Sequence, residues 1–435
     1  MQVELAYGQK GLSVSVSDDA VVLRPHAVPG LPDERAAITA ALRAPWSAAQ
    51  LGAAPLRERV CADDRVVIVF SDITRPMPSD RVLPPLLDEL AHVRRENIVL
   101  VNALGSHRAN TPAELDSMLG PEIARNYTIA QHDAWDKSNL VHLGVSSYGH
   151  PIWVNRTYLE ADVRILTGFI EPHIFAGFSG GPKAVLPGVA GIDSIMDNHC
   201  YEMLDHPKAT WGETEGNPIW EEMREVATLT QPDLLLNVTV NRHRAITGVY
   251  AGEMAAAHAR GVAAVRASAM VDVDAPFDIV LTTNSGYPLD INLYQAAKGM
   301  SAAARIVRPG GAIIMVAECR DGIPDYGEYR DLIHAGGSLE GVLRIVSQPG
   351  FRRHDMWQGQ LQVGIQQKAD VYVYSDGLSD AQITGMLFMP CRDIAATLNA
   401  LRAKYGSAAR VCVLPEGPQT IPCLRQGRNA SSSPA

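Results

Sequence analysis

The chain has 435 residues, of which 46% are hydrophobic and 20% are charged, and its formal net charge is −10. This composition is typical of a water-soluble globular protein that is long enough for two domains. The acidic balance, with no Lys/Arg run longer than a pair, argues against a nucleic-acid partner. No apolar run approaches the length of a membrane span, and the first residues lack a signal-peptide pattern. We therefore expect a cytoplasmic protein with a small-molecule partner and no membrane contact.

The first half of the chain alternates between strand and helix patterns. It opens with two short alternating segments, at residues 3–7 and 12–16, before a helix that begins near Asp33. Strands are then predicted at 65–70, 97–102, 127–131 and 163–166, and helices at 83–93, 113–119, 218–226 and 254–267, while 234–240 is an apolar segment. This alternation is typical of a mostly parallel sheet that is covered on both faces.

A linker is predicted at 271–276, and a second alternating series follows it. Its strands are predicted at 278–283, 311–317, 371–374 and 411–414, and its helices at 292–307, 339–346 and 392–405. The predicted fold class is therefore α/β, with two α/β domains of mostly parallel sheets. We assign residues 1–270 to the first domain, 271–425 to the second and 426–435 to a flexible tail. The first eight or so residues could also pair with the second domain.

Residues 168–188 combine glycines and prolines around a single lysine, Lys183, directly after the predicted strand at 163–166. Glycines let main-chain N–H groups approach an anion, and the lysine adds a primary amine. The ordinary phosphate-loop pattern does not fit, because Pro182 precedes the lysine and Ala184 follows it where that pattern needs a hydroxyl residue. This glycine-rich loop is therefore a candidate phosphate or cofactor site, in which Lys183 could be a covalent attachment point.

Other polar side chains follow the predicted strands of the first half. Asp72 and Arg75 follow the strand at 65–70, His107 follows the strand at 97–102, and His173 lies in the glycine-rich loop. Each has a structural alternative as a turn residue, a solvated charge or a hydrogen-bonded histidine. Because ligands of parallel sheets bind beyond the carboxyl ends of the strands, their convergence on one edge favours a functional site.

Two further groups are weaker candidates. His199 ends a short segment that continues from the glycine-rich loop, and an imidazole is a common metal ligand. Tyr294, Gln295 and Lys298 lie on the first turns of a predicted helix, where spacings of three and four place Lys298 on one face with both others. They could bind a carboxylate, or Lys298 could simply be a surface residue of an amphipathic helix.

Five motifs in order resemble the nickel-pincer lactate racemase family, across both predicted domains. They are Ser-Asp-Ile-Thr-Arg-Pro at 71–76, Gly-Ser-His-Arg at 105–108, Glu-Pro-His with Gly-Phe-Ser-Gly-Gly-Pro-Lys at 171–183, Asn-His at 198–199, and Tyr-Gln-Ala-Ala-Lys at 294–298.

The resemblance implies specific roles for the first group of residues. Lys183 matches the lysine that holds a pyridinium-3,5-bisthiocarboxylic acid mononucleotide, the nickel-pincer nucleotide, through a thioamide. His199 matches the histidine that completes the nickel coordination. His107 and His173 match the acid/base pair. The resemblance also implies cofactor-synthesis and loading enzymes as partners.

The remaining roles concern cofactor and substrate contacts. Asp72, Thr74 and Arg75 match the loop that contacts both, and Arg75 would bind the substrate carboxylate. Trp357, within Asp355-Met356-Trp357-Gln358, is similar to the tryptophan that flanks the cofactor. The substrate-binding helix of the family is matched by Tyr294, Gln295 and Lys298.

The implied activity is racemisation or epimerisation at C2 of a 2-hydroxy acid, with reversible hydride transfer and two histidines as alternating acid and base. Because Lys183 and His199 precede the predicted linker while the substrate-binding helix follows it, neither domain alone holds a complete site, and we expect the active site in the interdomain cleft. The choice among lactate, malate, 2-hydroxyglutarate, aromatic and sugar acids stays open. Two alternatives are a nicotinamide-dependent 2-hydroxy acid dehydrogenase, which lacks its G-x-G-x-x-G here, and a non-catalytic binding protein of the same fold.

Overall fold

The computed structural model describes residues 1–47, 54–325 and 327–425. The predicted flexible tail at 426–435 lies outside the described residues. The chain divides into two compact units. The continuous unit is Ala27–Ala267, and the split unit consists of Met1–His26 together with the chain from Ser268 onward. No helix of the described residues is both long and apolar enough to span a membrane.

The strands are short and include several continuous apolar runs. In chain order they are β1 (Gln2–Leu5), β2 (Leu12–Ser15), β3 (Val21–Val22), β4 (Val66–Ser71), β5 (Ile98–Ala103), β6 (Thr128–Gln131), β7 (Leu140–Val145), β8 (Pro151–Asn155), β9 (Val163–Phe169), β10 (Pro172–His173), β11 (Gly177–Phe178), β12 (Leu234–Val240), β13 (Ile246–Gly252), β14 (Met270–Val273), β15 (Phe277–Thr283), β16 (Val307–Val316), β17 (Ala369–Tyr374), β18 (Met389–Pro390), β19 (Val411–Leu414) and β20 (Ile421–Leu424).

The helices lie between the strands in both units. They are α1 (Glu34–Arg43), α2 (Leu56–Arg59), α3 (Ser79–Glu89), α4 (Pro112–Leu119), α5 (Pro121–Asn126), α6 (Arg156–Leu159), α7 (Ile192–Asn198), α8 (Tyr201–Leu204), α9 (Pro218–Leu229), α10 (Met254–Ala269), α11 (Leu293–Ala304), α12 (Tyr329–Gly336), α13 (Leu339–Val346), α14 (Met356–Lys368), α15 (Asp380–Gly385) and α16 (Ile394–Tyr405). Asp33, Asn217 and Asn292 cap α1, α9 and α11 by accepting main-chain N–H groups.

The continuous unit is built on a six-stranded sheet in the order β13-β12-β9-β4-β5-β6. It is parallel except for β13, which runs antiparallel to β12. The central strand β4 is buried from Val66 to Phe70, because helices and loops cover both faces of a parallel sheet. Its side chains join a core with α1 and α3 that includes Ile38, Ile68 and Leu83. This core fixes the positions at which the loops leave the sheet.

The split unit has its own six-stranded sheet, in the order β18-β17-β16-β15-β19-β3, and every pair in it is parallel. The predicted fold class of two α/β parts with mostly parallel sheets is therefore confirmed, whereas a site in the cleft between them stays a prediction. The linker expected at 271–276 is a strand for part of its length, because Met270–Val273 pairs in parallel with β20.

The strand order of the split unit reverses between β15 and β19, which is where open parallel sheets usually bind ligands. In this unit the chain's own residues 6–8 occupy that position. The Ala6 N–H donates to the Pro415 carbonyl at 2.9 Å, and the Gly8 carbonyl accepts from the Tyr287 N–H at 2.9 Å. The Gly8 N–H donates to the Asp290 carboxylate at 2.7 Å. A mononucleotide at this edge would have to displace residues 6–8.

Gly286 allows this close approach. Its φ is +70°, and a Cβ added there would lie 2.9 Å from the Gly8 carbonyl oxygen. Gly322 has the same kind of backbone, with φ at +69°, but a Cβ there meets nothing within 4 Å. Both Gly→Ala variants should lose roughly 1 kcal/mol of stability, because alanine disfavours the left-handed backbone conformation.

We predict that Gly286→Ala lowers the free energy of unfolding by about 1–3 kcal/mol more than Gly322→Ala, because only the former displaces main-chain atoms of residues 6–8. Urea unfolding midpoints of the two variants and the wild type give the comparison. Equal losses in the two variants would show that residues 6–8 are not packed against Gly286.

Candidate active site

The strand order of the continuous unit reverses between β4 and β9, so the loops after these two strands diverge from one point on the carboxyl edge. Asp72 follows β4 directly, and the glycine-rich loop follows β9. His107 comes from the loop after β5, which lies beside β4. Three adjacent strands thus deliver the candidate residues of this unit to one edge of the sheet.

Asp72 is the buried centre of this edge, with only 4% of its surface exposed. Its carboxylate lies 2.6 Å from Nδ1 of His107 and accepts a hydrogen bond from the Thr74 hydroxyl at 2.9 Å. The Nε atom of Arg75 lies 4.0 Å from the same carboxylate. Asp72 therefore holds His107, Thr74 and Arg75 in one group.

The electrostatics of this group keep Asp72 ionised. Burial raises the pKa of its carboxyl group, but the charge and hydrogen bond of His107, the charge of Arg75 and the Thr74 hydroxyl outweigh burial and hold the pKa below its ordinary value. Because a carboxylate only accepts, the proton between it and His107 sits on Nδ1. In the neutral imidazole the lone pair is then on Nε2, which is the arrangement of a general base with an orienting carboxylate.

His173 lies in the small hairpin of β10 and β11 and has the opposite arrangement. Its Nδ1 accepts the main-chain N–H groups of Phe175 at 3.3 Å and Ala176 at 3.2 Å. An atom that accepts two N–H groups carries a lone pair, so the neutral ring has its proton on Nε2. The two candidate acid/base histidines are therefore held in different tautomers.

The glycine-rich loop is braced by two residues that the sequence did not identify. Asn237 on β12 accepts the Gly181 N–H at 2.8 Å, and His258 on α10 lies 2.9 Å from the Ser179 carbonyl. Gly181 has φ at +53°, and a Cβ there would lie 2.6 Å from the His258 ring. Burial lowers the pKa of His258 to about 4, against the opposing effect of its hydrogen bond to Ser179, so the ring braces the loop as a neutral group.

Lys183 and His199 interact within this loop region. Burial, and secondly the positive charge of Lys183, lower the pKa of His199 to about 3, although its hydrogen bond to the Ile195 carbonyl opposes the shift. The bond from Nδ1 to that carbonyl is 3.2 Å, so Nδ1 carries the proton and Nε2 the lone pair. The Phe175 ring packs edge-on against the rings of both His199 and His173, with centroid distances of 6.3 and 6.2 Å. Lys183, His199 and His173 thus lie close together in this loop region.

The loop that carries His107 is tied to the end of the glycine-rich loop. The Gly105 N–H donates to the Gly188 carbonyl at 3.0 Å, and a Cβ at Gly188 would lie 3.1 Å from the Ala103 side chain. A Cβ at Gly105 would touch Pro187 at 3.4 Å. The two loops therefore form one support for the predicted residues of the continuous unit.

The candidates of the split unit lie at the start of α11 and α14. The Tyr294 hydroxyl donates to the Asp355 carboxylate at 3.2 Å and accepts the Trp357 indole N–H at 2.9 Å. Gln295 and Lys298 are half-buried on the first turns of α11, one and four residues after Tyr294. The structure thus joins Tyr294 to Trp357 through their side chains, and Asp355 was not identified from the sequence.

The carboxyl edge of the sheet in the continuous unit carries groups that can transfer a proton to and from a small molecule. The protein is therefore an α/β enzyme. Comparison with known proteins makes the class definite. The model of the lactate racemase N-terminal domain matches residues 7–212, and that of the lactate racemase C-terminal domain matches residues 273–421.

Individual relatives agree with these matches. A lactate racemase of Thermoanaerobacterium thermosaccharolyticum is 32% identical over 425 residues, which cover 96% of this chain and 98% of the relative. A lactate racemase of Lactiplantibacillus plantarum is 37% identical over 370 residues, or 84% of this chain and 87% of the relative.

Solved structures agree as well. The lactate racemase apoprotein of T. thermosaccharolyticum superposes with a TM-score of 0.90 at 30% identity, covering 98% of this chain and 100% of that one. A protein of Thermotoga maritima has a TM-score of 0.69 at 17% identity, covering 92% and 100%, which shows the fold alone.

The chain belongs to the lactate racemase family. It is an isomerase, a racemase or epimerase that acts on hydroxy acids. The resemblance noted in the sequence is confirmed. The two alternative classes, a nicotinamide-dependent dehydrogenase and a non-catalytic binding protein, are therefore rejected.

Proposed function

We propose that this protein inverts C2 of a 2-hydroxy acid by reversible hydride transfer to a nickel-pincer nucleotide on Lys183, with His107 and His173 as acid/base groups. The observation that carries the proposal is the Asp72–His107 pair, at 2.6 Å, in which the loop of His107 is tied to the loop that bears Lys183. Hydroxyl deprotonation requires a base of this kind, and the cofactor requires an amine beside it.

The glycine-rich loop is compatible with a covalently held nucleotide. Gly180 and Gly181 both have positive φ, at +74° and +53°, and follow β9 at the switch point of the sheet. The Gly181 N–H already donates to Asn237 and Pro182 has no N–H, so Lys183 is the residue of this turn that would hold the nucleotide. Lys183 lies in a short 3₁₀ turn, Gly181–Ala184, and its amine would form the covalent link to the nucleotide.

The donor set is also compatible with nickel held mainly by the nucleotide. Among the residues that the structure describes, no group of three His, Cys, Asp or Glu side chains could hold a metal ion. His199 can supply one imidazole, since its Nδ1 proton is held by the Ile195 carbonyl and its Nε2 carries the lone pair. This is the usual orientation of a metal-binding histidine. The other ligands would have to come from the nucleotide's sulfur and carbon atoms.

When bound, the nucleotide supplies the electrophilic carbon that takes up the C2 hydride and returns it. His107 then provides the base: Nε2 accepts the substrate's hydroxyl proton, and the charge of Asp72 stabilises the resulting imidazolium. Asp72 keeps its own negative charge in this step, because its pKa stays below the ordinary value. The product of oxidation is a planar 2-oxo acid.

His173 would serve the other enantiomer after the keto group rotates. As a base at Nε2 it must carry its proton at Nδ1 instead, which requires the N–H contacts of Phe175 and Ala176 to open. These contacts, at 3.3 and 3.2 Å, are at the long end for hydrogen bonds, so their loss costs little. His107 needs no such change, because its Nε2 already carries the lone pair.

The substrate carboxylate would be bound by Arg75 and Lys298, with Tyr294 and Gln295 beside Lys298. The guanidinium of Arg75 presents five N–H donors, so its Nε can stay beside Asp72 while others bind a carboxylate. Lactate is the substrate named for both curated relatives and is the first to test here. Cofactor-synthesis and loading enzymes, and a cytoplasmic location, follow from the same proposal.

Asp72→Asn should lower the turnover of cofactor-loaded enzyme by about two orders of magnitude, because the imidazolium of His107 loses its counter-charge and the tautomer is no longer fixed. His107→Ala should lower it by about two to four orders of magnitude. Chiral chromatography of D- and L-lactate, and of other 2-hydroxy acids, measures the rates. His92→Ala is the matched control, because His92 contacts only the Val60 carbonyl among the described hydrogen bonds of its ring. Near-normal turnover in His107→Ala would remove that residue from the mechanism.

The covalent link and the metal site can be separated. Protein produced with the cofactor-synthesis enzymes should exceed the sequence mass, and Lys183→Ala should abolish the excess. Lys137→Ala, which removes a surface amine paired with Asp193 at 3.0 Å, should keep it. His199→Ala should keep the adduct but contain less nickel, because it removes one metal ligand and leaves those of the nucleotide in place. Intact mass and metal analysis provide the two readouts, and an adduct retained in Lys183→Ala would refute the attachment point.

A further inference from the structure

Asp355 precedes α14 in an unusual backbone conformation. Its φ is +65° and its ψ 9°, in the left-handed region that residues with a Cβ rarely adopt. Asparagine and aspartate tolerate this region better than most residues, but it still strains the backbone. Such a conformation persists only where surrounding contacts hold it.

The side chain of Asp355 does not play the role that is usual at its position in the helix. It is the N-cap residue of α14, where an aspartate ordinarily accepts a main-chain N–H of the first turn. Asp355 makes no such capping bond. By contrast, Asp393 at the N-cap of α16 accepts the Ala396 N–H at 2.9 Å. Asp355 therefore gives up the usual stabilising role of its position.

The Asp355 carboxylate is directed to α11 instead. It is 7% exposed, and it accepts the Tyr294 hydroxyl at 3.2 Å and the Glu328 N–H at 3.2 Å. Gly327 is required for this contact, because a Cβ there would lie 2.0 Å from the carboxylate oxygen. The strained backbone and the missing capping bond thus accompany one interaction, the hydrogen bond from the Tyr294 hydroxyl to the Asp355 carboxylate.

Tyr294 in turn contacts residues of α12 and α14. With its proton donated to Asp355, its oxygen accepts the Trp357 indole N–H at 2.9 Å. Gln358 donates to the Tyr294 carbonyl at 2.8 Å, and the Tyr329 ring packs edge-on at a centroid distance of 5.7 Å. The phenol is thereby fixed in position and in the direction of its proton.

We propose that Asp355 is a positioning residue for the substrate side of α11, which acts by fixing Tyr294 and, through it, Trp357. The inference rests on the proposed function, in which Tyr294 contacts the 2-hydroxy acid. It also revises the expected role of Tyr294. Because its proton is held by Asp355, Tyr294 shapes the site as a fixed aromatic wall, while Gln295 and Lys298 supply the donors for the carboxylate.

The test uses cofactor-loaded full-length enzyme with Asp355→Asn and Asp355→Gly. Both residues tolerate the left-handed backbone, and glycine relieves the strain, so both variants should fold with Tm close to that of the wild type. We expect KM for the 2-hydroxy acid to rise about tenfold with a smaller change in kcat, because Asp355→Asn removes the charge that strengthens the bond to Tyr294 and Asp355→Gly removes the acceptor itself. The mass of the Lys183 adduct should be unchanged.

Two comparisons separate positioning from a merely structural role. Asp393→Ala, which removes a true cap in the same unit, should lower Tm without changing KM. In a Tyr294→Phe background, Asp355→Asn should add less than a twofold further change in KM, because the residue it acts through is already altered.

The outcomes are distinct. If the wild-type enzyme is active and KM is unchanged in Asp355→Asn and Asp355→Gly, the inference alone is overturned. It is also overturned if the KM change in the double variant equals the product of the changes in Asp355→Asn and Tyr294→Phe. Wild-type enzyme that racemises no 2-hydroxy acid would overturn the proposed function and this inference together.

Discussion

The buried charge of Asp72 is the interaction on which the candidate site depends. Removing a carboxylate from water costs several kcal/mol unless charges and hydrogen-bond donors replace the solvent. His107, Thr74 and Arg75 supply that replacement, and all of them lie on the loops that follow β4 and β5. One charge thus fixes the tautomer of a histidine and the place of an arginine. The removal of His107 or Arg75 would leave Asp72 poorly compensated, so the group acts as a unit.

The two parallel sheets use their switch points differently. In the continuous unit the loops after β4 and β9 carry Asp72 and Lys183, and the loop after the neighbouring strand β5 carries His107. In the split unit the corresponding position is filled by residues 6–8, and the predicted substrate residues stand instead at the start of α11 and α14. The same rule of α/β architecture therefore explains the site in one unit and its displacement in the other.

Much of this arrangement was predictable from the sequence. The strand at 163–166 and the glycines after it predicted a loop at a strand's end, although β9 continues to Phe169 because Gly168 and Phe169 still pair with β12. α13 and β19 match their predicted bounds. The helix at Ser79–Glu89 begins four residues before its prediction, because it tolerates Pro84 and Pro85 in its interior. The helix at Met356–Lys368 was not predicted, since its glutamines and glycines have almost no apolar periodicity.

The supporting residues were the least accessible to sequence reasoning. Asn237 sits in an apolar strand and His258 in an Ala-rich helix, and neither position resembles a site. Their role comes from contacts with the glycine-rich loop that span 56 and 79 residues of chain. Asp355 is similar, because only the folded structure shows that its side chain makes no capping hydrogen bond. Tertiary packing, which no local pattern encodes, places all three.

The central claim is that the histidines move the hydroxyl proton while the C2 hydrogen moves as a hydride. The most direct test is racemisation of a 2-hydroxy acid deuterated at C2, by cofactor-loaded enzyme in ordinary water, with chiral separation and mass analysis of the product. The account predicts that the newly formed enantiomer keeps its deuterium, because no histidine takes a proton from carbon. Loss of deuterium to solvent in step with racemisation would contradict it and indicate a carbanion instead.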